Sequence, residues 1–262
     1  MINLDLSPII LGLGPFQIRY YGLFYALGFI IAYLMISHLA KRKQLNITKD
    51  DAADFIVYEI VGIVLGARVV YVLFYNLPFY LQNPIEIFAL WHGGLSFHGG
   101  LLGAIIATFL FCKKRKIEFY DIADIAVMPV ALALALGRIG NFINAELVGR
   151  VTDLSWCIDY SKNKFVENLS SECRHPSQIY ASIKNLLIFG ILWFIKDKKL
   201  PNGFMFWTFV MLYGLFRTII EFFRVPDEQI GFIINYFTMG QLLSFPLFLV
   251  GVYMLFKLNK NK

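Results

Sequence analysis

The chain has 262 residues, of which 58% are hydrophobic and only 16% are charged. A soluble globular domain carries about a quarter charged residues, so this composition excludes an ordinary soluble domain. The formal net charge is +6, but the basic residues fall in separate clusters at the ends of apolar segments. That distribution follows the positive-inside rule of membrane proteins and argues against a nucleic-acid partner.

Seven apolar segments have the length of about 20 residues that a helix needs to cross a bilayer core of about 30 Å. They predict an all-α polytopic membrane protein, with its backbone hydrogen bonds made inside each span. No basic region precedes the first apolar segment, so we expect it to be a retained span rather than a cleaved signal peptide. The predicted spans are 18–38, 54–75, 94–112, 121–139, 178–195, 203–223 and 237–256.

Lysine and arginine mark alternate loops. Basic clusters follow the first, third, fifth and seventh predicted spans, whereas residues 76–90 contain no lysine or arginine. The positive-inside rule therefore predicts an extracytoplasmic N-terminus and a cytoplasmic C-terminus. It also predicts one integral membrane domain, 1–262, with a small extracytoplasmic cap at about 140–177.

The three cysteines divide between the two sides of the predicted membrane. Cys112 falls at the cytoplasmic end of the third span, where a small buried hydrophobic residue is the simplest interpretation. Cys157 and Cys173 fall in the cap, on the oxidising side, so a disulfide between them is expected there. Spacing alone does not establish that their side chains meet.

Charged residues at membrane depth are costly and are therefore candidates for function. Arg217, Glu221 and Arg224 are separated by four and three residues, which places them on one helix face. Two arginines and one carboxylate leave a net positive charge, suited to an anion such as a lipid phosphate. The alternative is a structural stripe of ion pairs.

The segment GRIGNFINAELVG at 137–149 carries a second candidate set. Arg138 and Asn141 share a helix face if the helix continues, and the glycines permit close approach of a backbone or ligand. Helix capping is an alternative explanation for the asparagines, but it does not explain Arg138.

A histidine and an arginine add to these sets. If the third helix begins near Gly93, His98 lies five residues in, roughly 8 Å below the outer boundary. An imidazole there is a candidate general base, since it exchanges a proton near neutral pH; a hydrogen-bonded packing role is the alternative. His92 falls on a different face and no carboxylate or cysteine cluster accompanies the pair, so we expect no metal and no cofactor. Arg68, with Tyr71 and Tyr75, adds polar groups in the outer half of the second span, and Tyr20 and Tyr21 open the first span on the same side. For Tyr20 and Tyr75, an aromatic belt at the membrane interface is the alternative.

Taken together, five segments resemble the bacterial prolipoprotein diacylglyceryl transferase family and span nearly the whole chain in order. The combination of GR-x-GNF-x-N-x-E with SFHGG is the most specific part of the resemblance. The matching segments are IRYYGLFY (18–25), GLSFHGGLLG (94–103), GRIGNFINAELVGR (137–150), RHPSQIY (174–180) and LFRTIIEFFRVPDEQIG (215–231).

The resemblance implies transfer of the diacylglyceryl group of phosphatidylglycerol to the lipobox cysteine of preprolipoprotein signal peptides, releasing glycerol phosphate. It implies an enzyme embedded among the lipids of the prokaryotic inner membrane, with its site in the outer half of the bilayer. It implies His98, Arg138 and Arg217 as catalytic residues. The implied substrate-binding residues are Tyr21, Arg68, Asn141, Asn144, Glu146, Gly149, Glu221 and Arg224.

Three positions depart from the family pattern. Ala145 replaces a common glycine, Val148 replaces a common aromatic residue, and Ala181 stands where glutamate usually follows HPSQ-x-Y. The missing carboxylate is therefore dispensable here, or Glu172 or another acid substitutes for it. The competing functional class is an anion or lipid transporter that uses the same arginines; it predicts polar residues along the inner halves of the spans, which carry mainly flanking lysines.

Overall fold

The computed structural model describes residues 2–13, 16–161, 163, 165, 171–226, 232–233 and 237–260. Within these residues, seven helices are long and apolar enough to cross a membrane. They confirm the predicted all-α polytopic fold, while the orientation of the termini stays a prediction. The helices are α1 (Tyr20–Arg42), α2 (Lys49–Phe74), the short α3 (Leu77–Gln82), α4 (Phe97–Arg115), α5 (Phe119–Ile143), α6 (Ser177–Ile195), α7 (Phe204–Ile220) and α8 (Met239–Lys260).

The helix ends extend beyond the predicted apolar spans where polar groups complete the first or last turn. At the start of α2, Thr48 accepts a hydrogen bond from the amide of Asp51, and the Asp51 carboxylate accepts one from the amide of Thr48. This capping box supplies partners for amides that have none within the helix. The helix therefore begins at Lys49, five residues before the apolar span.

The chain forms two compact units, one of residues 1–32 and 123–262 and the other of residues 33–122. Within the second unit, α2 and α4 meet through two glycine pairs, Gly62 with Gly66 and Gly99 with Gly103. A Cβ atom at Gly103 would lie 2.0 Å from the Gly62 carbonyl oxygen, and one at Gly66 would lie 2.3 Å from that of Gly99. Small residues four apart permit this close approach of membrane helices.

In the first unit, Asp124 connects α5 to the start of α7. Its buried carboxylate accepts hydrogen bonds of 2.8 Å from the amides of Gly203 and Phe206. A carboxylate is favourable at a helix N-terminus, where amides lack partners and the helix dipole is positive. The contact positions α7 against α5, the two helices that carry Arg217 and Arg138.

A small sheet follows α5 in the segment predicted as the cap. Helix α5 continues to Ile143, so this segment begins a few residues later than expected. Its disulfide joins Cys157 and Cys173, which confirms the expected pairing, and Cys112 is free and buried as expected. The strands are β1 (Ile2–Asn3), β4 (Ile158–Asp159) and β5 (Cys173–Arg174) in the order β1-β4-β5, with two hairpins elsewhere, β2 (Ile9–Leu13) with β3 (Phe16–Arg19) and β6 (Phe232–Ile233) with β7 (Phe237–Thr238).

Candidate active site

The predicted site residues divide between the two units. Arg68 and His98 belong to the second unit, and the other candidates belong to the first. In the first unit, Arg138 lies near the end of α5 and Arg217 near the end of α7, while α6 begins at Ser177. The chain direction alternates through these helices, so the cationic residues gather at the helix ends next to the small sheet.

Arg217, Glu221 and Arg224 form the ion-paired group that their spacing predicted. The Arg217 Nη1 atom lies 2.7 Å from Glu221 Oε2, and Arg224 Nη1 lies 3.7 Å from Glu221 Oε1. Helix α7 ends at Ile220, however, and Arg224 is extended and forms a β-bridge with Gly149. One carboxylate therefore contacts two arginines although only Arg217 lies on the α-helix.

Gly240, on α8, provides the space that the Glu221 carboxylate occupies. A Cβ atom there would lie 2.6 Å from the carboxyl carbon of Glu221. A larger residue would displace the carboxylate from the two arginines. Sequence reasoning did not predict this contact, because a glycine early in an apolar helix has several possible roles.

A hydrogen-bonded chain leads from Arg138 to Glu146. Arg138 Nη1 donates to Asn141 Oδ1 at 3.3 Å, and Asn141 Nδ2 donates to Glu146 Oε2 at 2.9 Å. Asn144 Nδ2 donates to the other carboxylate oxygen at 3.0 Å. Among the described residues, no carboxylate lies within ion-pair distance of Arg138. Its charge is therefore available to an anion, and Glu146 is held by amides.

The backbone around Glu146 is strained. Ala145 and Leu147 have φ of 53° and 56°, in the left-handed region that few non-glycine residues adopt. The side chains of α6 support this turn, since Gln178 Nε2 donates to the Glu146 carbonyl at 2.6 Å and Ser177 Oγ donates to that of Leu147 at 2.9 Å. Such strain persists where the surroundings fix the conformation, as they do here.

The small sheet is tied to the same turn through Tyr160. This buried side chain donates a hydrogen bond of 3.0 Å to Gln178 Oε1, the residue that also holds the Glu146 carbonyl. Burial raises the pKa of the Tyr160 phenol well above its ordinary value, against a smaller lowering from the hydrogen bond with Gln178. The neutral phenol is therefore the form that the fold favours.

Gly149 lies where two backbone segments meet. A Cβ atom there would come within 2.2 Å of the His175 carbonyl oxygen and 2.8 Å of that of Phe223. This packing accounts for a glycine at that position and holds Arg224 beside the turn. A direct contact of Gly149 with substrate stays a prediction.

Three of the arginines of the first unit, Arg138, Arg217 and Arg224, line one small cavity. Its volume is about 10 Å³, room for about one water molecule. A phosphate group is larger, so the arginine side chains must shift to admit one. The lining residues are Arg138, Leu147, Ser177, Gln178, Ala181, Arg217, Ile220 and Arg224.

Ala181 contributes a methyl group to this cavity, and among the described residues no acid lines the cavity in place of the missing carboxylate. Glu172, the acid that could have substituted, forms an ion pair of 2.5 Å with Arg174 and does not line the cavity.

Tyr21 packs against Gly140, where a Cβ atom would lie 2.8 Å from the Tyr21 ring, and the Tyr21 hydroxyl is 3.3 Å from that of Tyr25.

In the second unit, the Arg68 guanidinium binds the loop between α2 and α4. All three of its nitrogens donate to backbone carbonyls, at distances from 2.5 to 3.2 Å. The ring of Tyr80 lies 5.0 Å from its central carbon. These contacts give Arg68 a structural role that accounts for its burial. Its role in substrate binding stays a prediction. The accepting carbonyls belong to Glu86, Ile87, Ala89, Gly93 and Gly94.

The helix start near Gly93, on which the predicted depth of His98 was based, was wrong. Helix α4 begins at Phe97, with Ser96 as its N-cap, so His98 is the second helical residue. Gly93 and Gly94 have φ of 79° and 74°, which no right-handed helix contains. The imidazole is exposed and makes no hydrogen bond with the described residues. The described residues therefore do not support the alternative in which His98 is a hydrogen-bonded packing residue.

Sequence reasoning overlooked Lys184, a buried cation in the middle of α6. It is 5% exposed, and its ammonium lies 3.7 Å from the centre of the Tyr213 ring. The available signal was a lysine among apolar residues well inside a predicted span, since ionisable residues at membrane depth are functional candidates.

The chain is similar to known proteins over nearly its whole length. The family model for prolipoprotein diacylglyceryl transferase matches residues 8–257. The phosphatidylglycerol–prolipoprotein diacylglyceryl transferase of Geobacter sulfurreducens is 46% identical over 258 residues, covering 98% of this chain and 97% of that protein. The protein of the same name from Rickettsia typhi is 44% identical over 265 residues, covering 100% of both chains.

A third relative of that name, from Desulfotalea psychrophila, is 43% identical over 254 residues, covering 94% of this chain and 91% of its own. These names give no support to the alternative of an anion or lipid transporter. The match extends over almost the entire chain at high identity. The chain therefore belongs to the prolipoprotein diacylglyceryl transferase family.

Proposed function

We propose that this membrane enzyme transfers the diacylglyceryl group of phosphatidylglycerol to the thiol of the lipobox cysteine of preprolipoproteins. Glycerol phosphate is the second product, and the reaction is the first step of lipoprotein maturation. The observation that carries the proposal is the arginine-lined cavity, in a chain whose relatives are named for this lipid and for prolipoprotein.

The reaction forms a carbon–sulfur bond and breaks a carbon–oxygen bond. The cysteine thiolate attacks the glycerol carbon esterified to phosphate, and the phosphate oxygen leaves with the bonding electron pair. Charge therefore builds on the phosphate oxygens in the transition state. Arg138 and Arg217 bind these oxygens and stabilise that charge more strongly in the transition state than in the ground state.

The carboxylates position the arginines rather than react. Glu221 contacts both Arg217 and Arg224, and Glu146 is held by amides in the chain that ends at Arg138. Because Glu221 already contacts two arginines, it orients them and is not placed to take up the thiol proton. Tyr21, Asn141, Asn144 and Gly149 belong to the wall that shapes the donor site.

His98 accepts the thiol proton. Thiolate is the attacking species, so a base must remove that proton at neutral pH. The exposed imidazole at the start of α4 has both nitrogens available, since it makes no hydrogen bond with the described residues. The site faces the outer half of the prokaryotic inner membrane, where the positive-inside rule locates the ends of α5 and α7.

The direct test is mass spectrometry of a lipobox peptide incubated with purified protein and phosphatidylglycerol. A mass gain of one diacylglyceryl group on the cysteine is expected, together with release of glycerol phosphate. A peptide with serine at the lipobox position is the matched control and should stay unmodified. An unmodified cysteine peptide, with protein that is folded by a separate assay, would contradict the proposal.

A further inference from the structure

Lys184 is a cation in the interior of a membrane span. It lies seven residues after the start of α6, roughly 10 Å along the helix axis at about 1.5 Å per residue. Only 5% of the residue is exposed, and its Nζ atom is buried without a hydrogen-bond partner among the described residues. The ring of Tyr213 lies against the ammonium, but an aromatic ring does not replace the hydrogen-bond acceptors that its N–H groups lack.

Lys196, the C-cap residue of the same helix, differs from Lys184 in its hydrogen bonds. Its ammonium also lies over an aromatic ring, 3.9 Å from the centre of Trp193. It donates as well to the Trp193 carbonyl at 3.3 Å and to the Asp197 carboxylate at 3.2 Å. Lys196 therefore has the acceptors that Lys184 lacks. A lysine near a helix end can extend its ammonium to the membrane surface, which accounts for Lys196 but not for Lys184.

Lys184 lies one helical turn beyond the arginine-lined cavity. Gln178 and Ala181 line that cavity, and residues three apart on a helix share a face, so Lys184 extends the same stripe inward. On α7, Tyr213 precedes Arg217 by four residues, one turn along that helix. The contact of Lys184 with Tyr213 therefore lies on the inner side of the cavity.

The acidic side chains that contact the arginine and asparagine residues of the site are already engaged. Glu221 contacts Arg217 and Arg224, and Glu146 accepts hydrogen bonds from two asparagines. Ala181 supplies no acid on the stripe. A buried cation without an anionic partner is unfavourable, and a bound anion would supply the missing partner.

We propose that Lys184 is a positioning residue for the donor, whose ammonium binds an unesterified phosphate oxygen at the inner side of the cavity lined by Arg138 and Arg217. The ligand chemistry is a phosphate ester with two free oxygens. The lysine stem has four flexible carbons, so the ammonium can move from the Tyr213 ring toward the phosphate when the arginines shift. The inference rests on the proposed function and names a residue that positions its substrate.

The test compares Lys184→Met with Lys196→Met, a matched change of an acceptor-paired lysine on the same helix. Thermal unfolding is measured in a neutral detergent with phosphatidylglycerol, with soluble glycerol phosphate or with diacylglycerol, which lacks phosphate. Without ligand, Lys184→Met should unfold at the same temperature as the wild type or higher, because an unpaired buried cation is removed. Phosphatidylglycerol should stabilise it less than the wild type, whereas diacylglycerol should affect both equally.

Transfer kinetics give the second readout. Loss of one charge-assisted hydrogen bond to the donor should raise the KM for phosphatidylglycerol about tenfold in Lys184→Met. The kcat should stay within about twofold, since the arginines remain. Lys184→Arg, which keeps the charge, should recover part of the affinity, and Lys196→Met should behave as the wild type.

The outcomes separate the inference from the function on which it rests. If Lys184→Met responds to phosphatidylglycerol as the wild type does, with an unchanged KM, the inference is wrong. If the Lys184-dependent response is to glycerol phosphate alone, the lysine binds the product and the assignment to the donor is wrong. If the wild type transfers no diacylglyceryl group, the proposed function fails, while the binding measurement still reports on Lys184.

Discussion

Glu221 and Arg217 form a buried ion pair one helical turn apart, with Oε2 and Nη1 separated by 2.7 Å and the Glu221 side chain 3% exposed. The other oxygen of the same carboxylate faces Arg224. Two mostly buried arginines thus share one acid. We therefore expect this acid to matter for the stability of the fold as well as for the orientation of the arginines.

Replacing Glu221 with glutamine should therefore destabilise the protein and impair transfer together. Removing one partner of a buried ion pair costs about 3–5 kcal/mol, because the remaining charges are left uncompensated. Thermal unfolding in detergent and the initial transfer rate are the measurements. Glu86→Gln is the matched control, since Glu86 pairs with His92 at the same 2.7 Å but in an exposed place, and it should cost less than about 1 kcal/mol. Equal losses in the two variants would contradict the prediction.

Arg138→Lys and Arg217→Lys should lose most activity although each keeps its charge. A guanidinium offers a planar pair of donors to phosphate, and an ammonium does not. The loss of a charged hydrogen bond corresponds to about a tenfold to hundredfold fall in kcat/KM. Arg115→Lys, at the far end of α4, should leave transfer close to that of the wild type. Near-normal turnover in both site variants, at equal abundance in the membrane, would show that positive potential alone suffices.

His98→Asn should reduce transfer by about 10²–10⁴-fold at neutral pH if the imidazole accepts the thiol proton. The defect should shrink as pH rises toward the ordinary thiol pKa of about 8.5, because thiolate then forms without a base. Initial rates between about pH 6.5 and 9 give the ratio of wild type to variant. His92→Asn, the same change six residues earlier, should show a small ratio at every pH. A large ratio for His98→Asn that does not vary with pH would make His98 an orienting residue.

Tyr160 predicts a loss of stability in alkaline solution. Burial raises its pKa in the folded state, so its stabilising effect is complete below the unfolded value of about 10 and decreases above it. Unfolding temperatures of the wild type should fall between about pH 9 and 11, and Tyr160→Phe should reduce that fall. Tyr75→Phe, at an exposed tyrosine, should leave the pH dependence unchanged. The idea fails if Tyr160→Phe and the wild type lose stability in parallel.

The sequence predicted each membrane helix because an apolar run of about 20 residues has few alternatives to a span. The ends were less accurate because polar residues extend a helix where capping supports them, as at Lys49, and hydropathy does not register capping. The start of α4 was missed for the opposite reason, since two glycines with positive φ delay the helix to Phe97.

Within the site, local spacing was reliable and loop geometry was not. Arg138 with Asn141 and Arg217 with Glu221 are helical neighbours, so their contacts follow from spacings of three and four. The hydrogen bonds from two asparagines to Glu146 depend on a turn in which Ala145 and Leu147 have positive φ. Sequence periodicity does not indicate such a turn. Residues 227–231, the end of the last family segment, lie outside the described residues.

The four glycines between α2 and α4 have a consequence for the candidate base. His98 directly precedes Gly99, whose missing side chain lets the two backbones touch. A helix seated on backbone atoms cannot rotate about its own axis without driving a larger surface into its neighbour. Main-chain contact therefore sets the direction in which α4 presents His98, whose ring makes no hydrogen bond with the described residues.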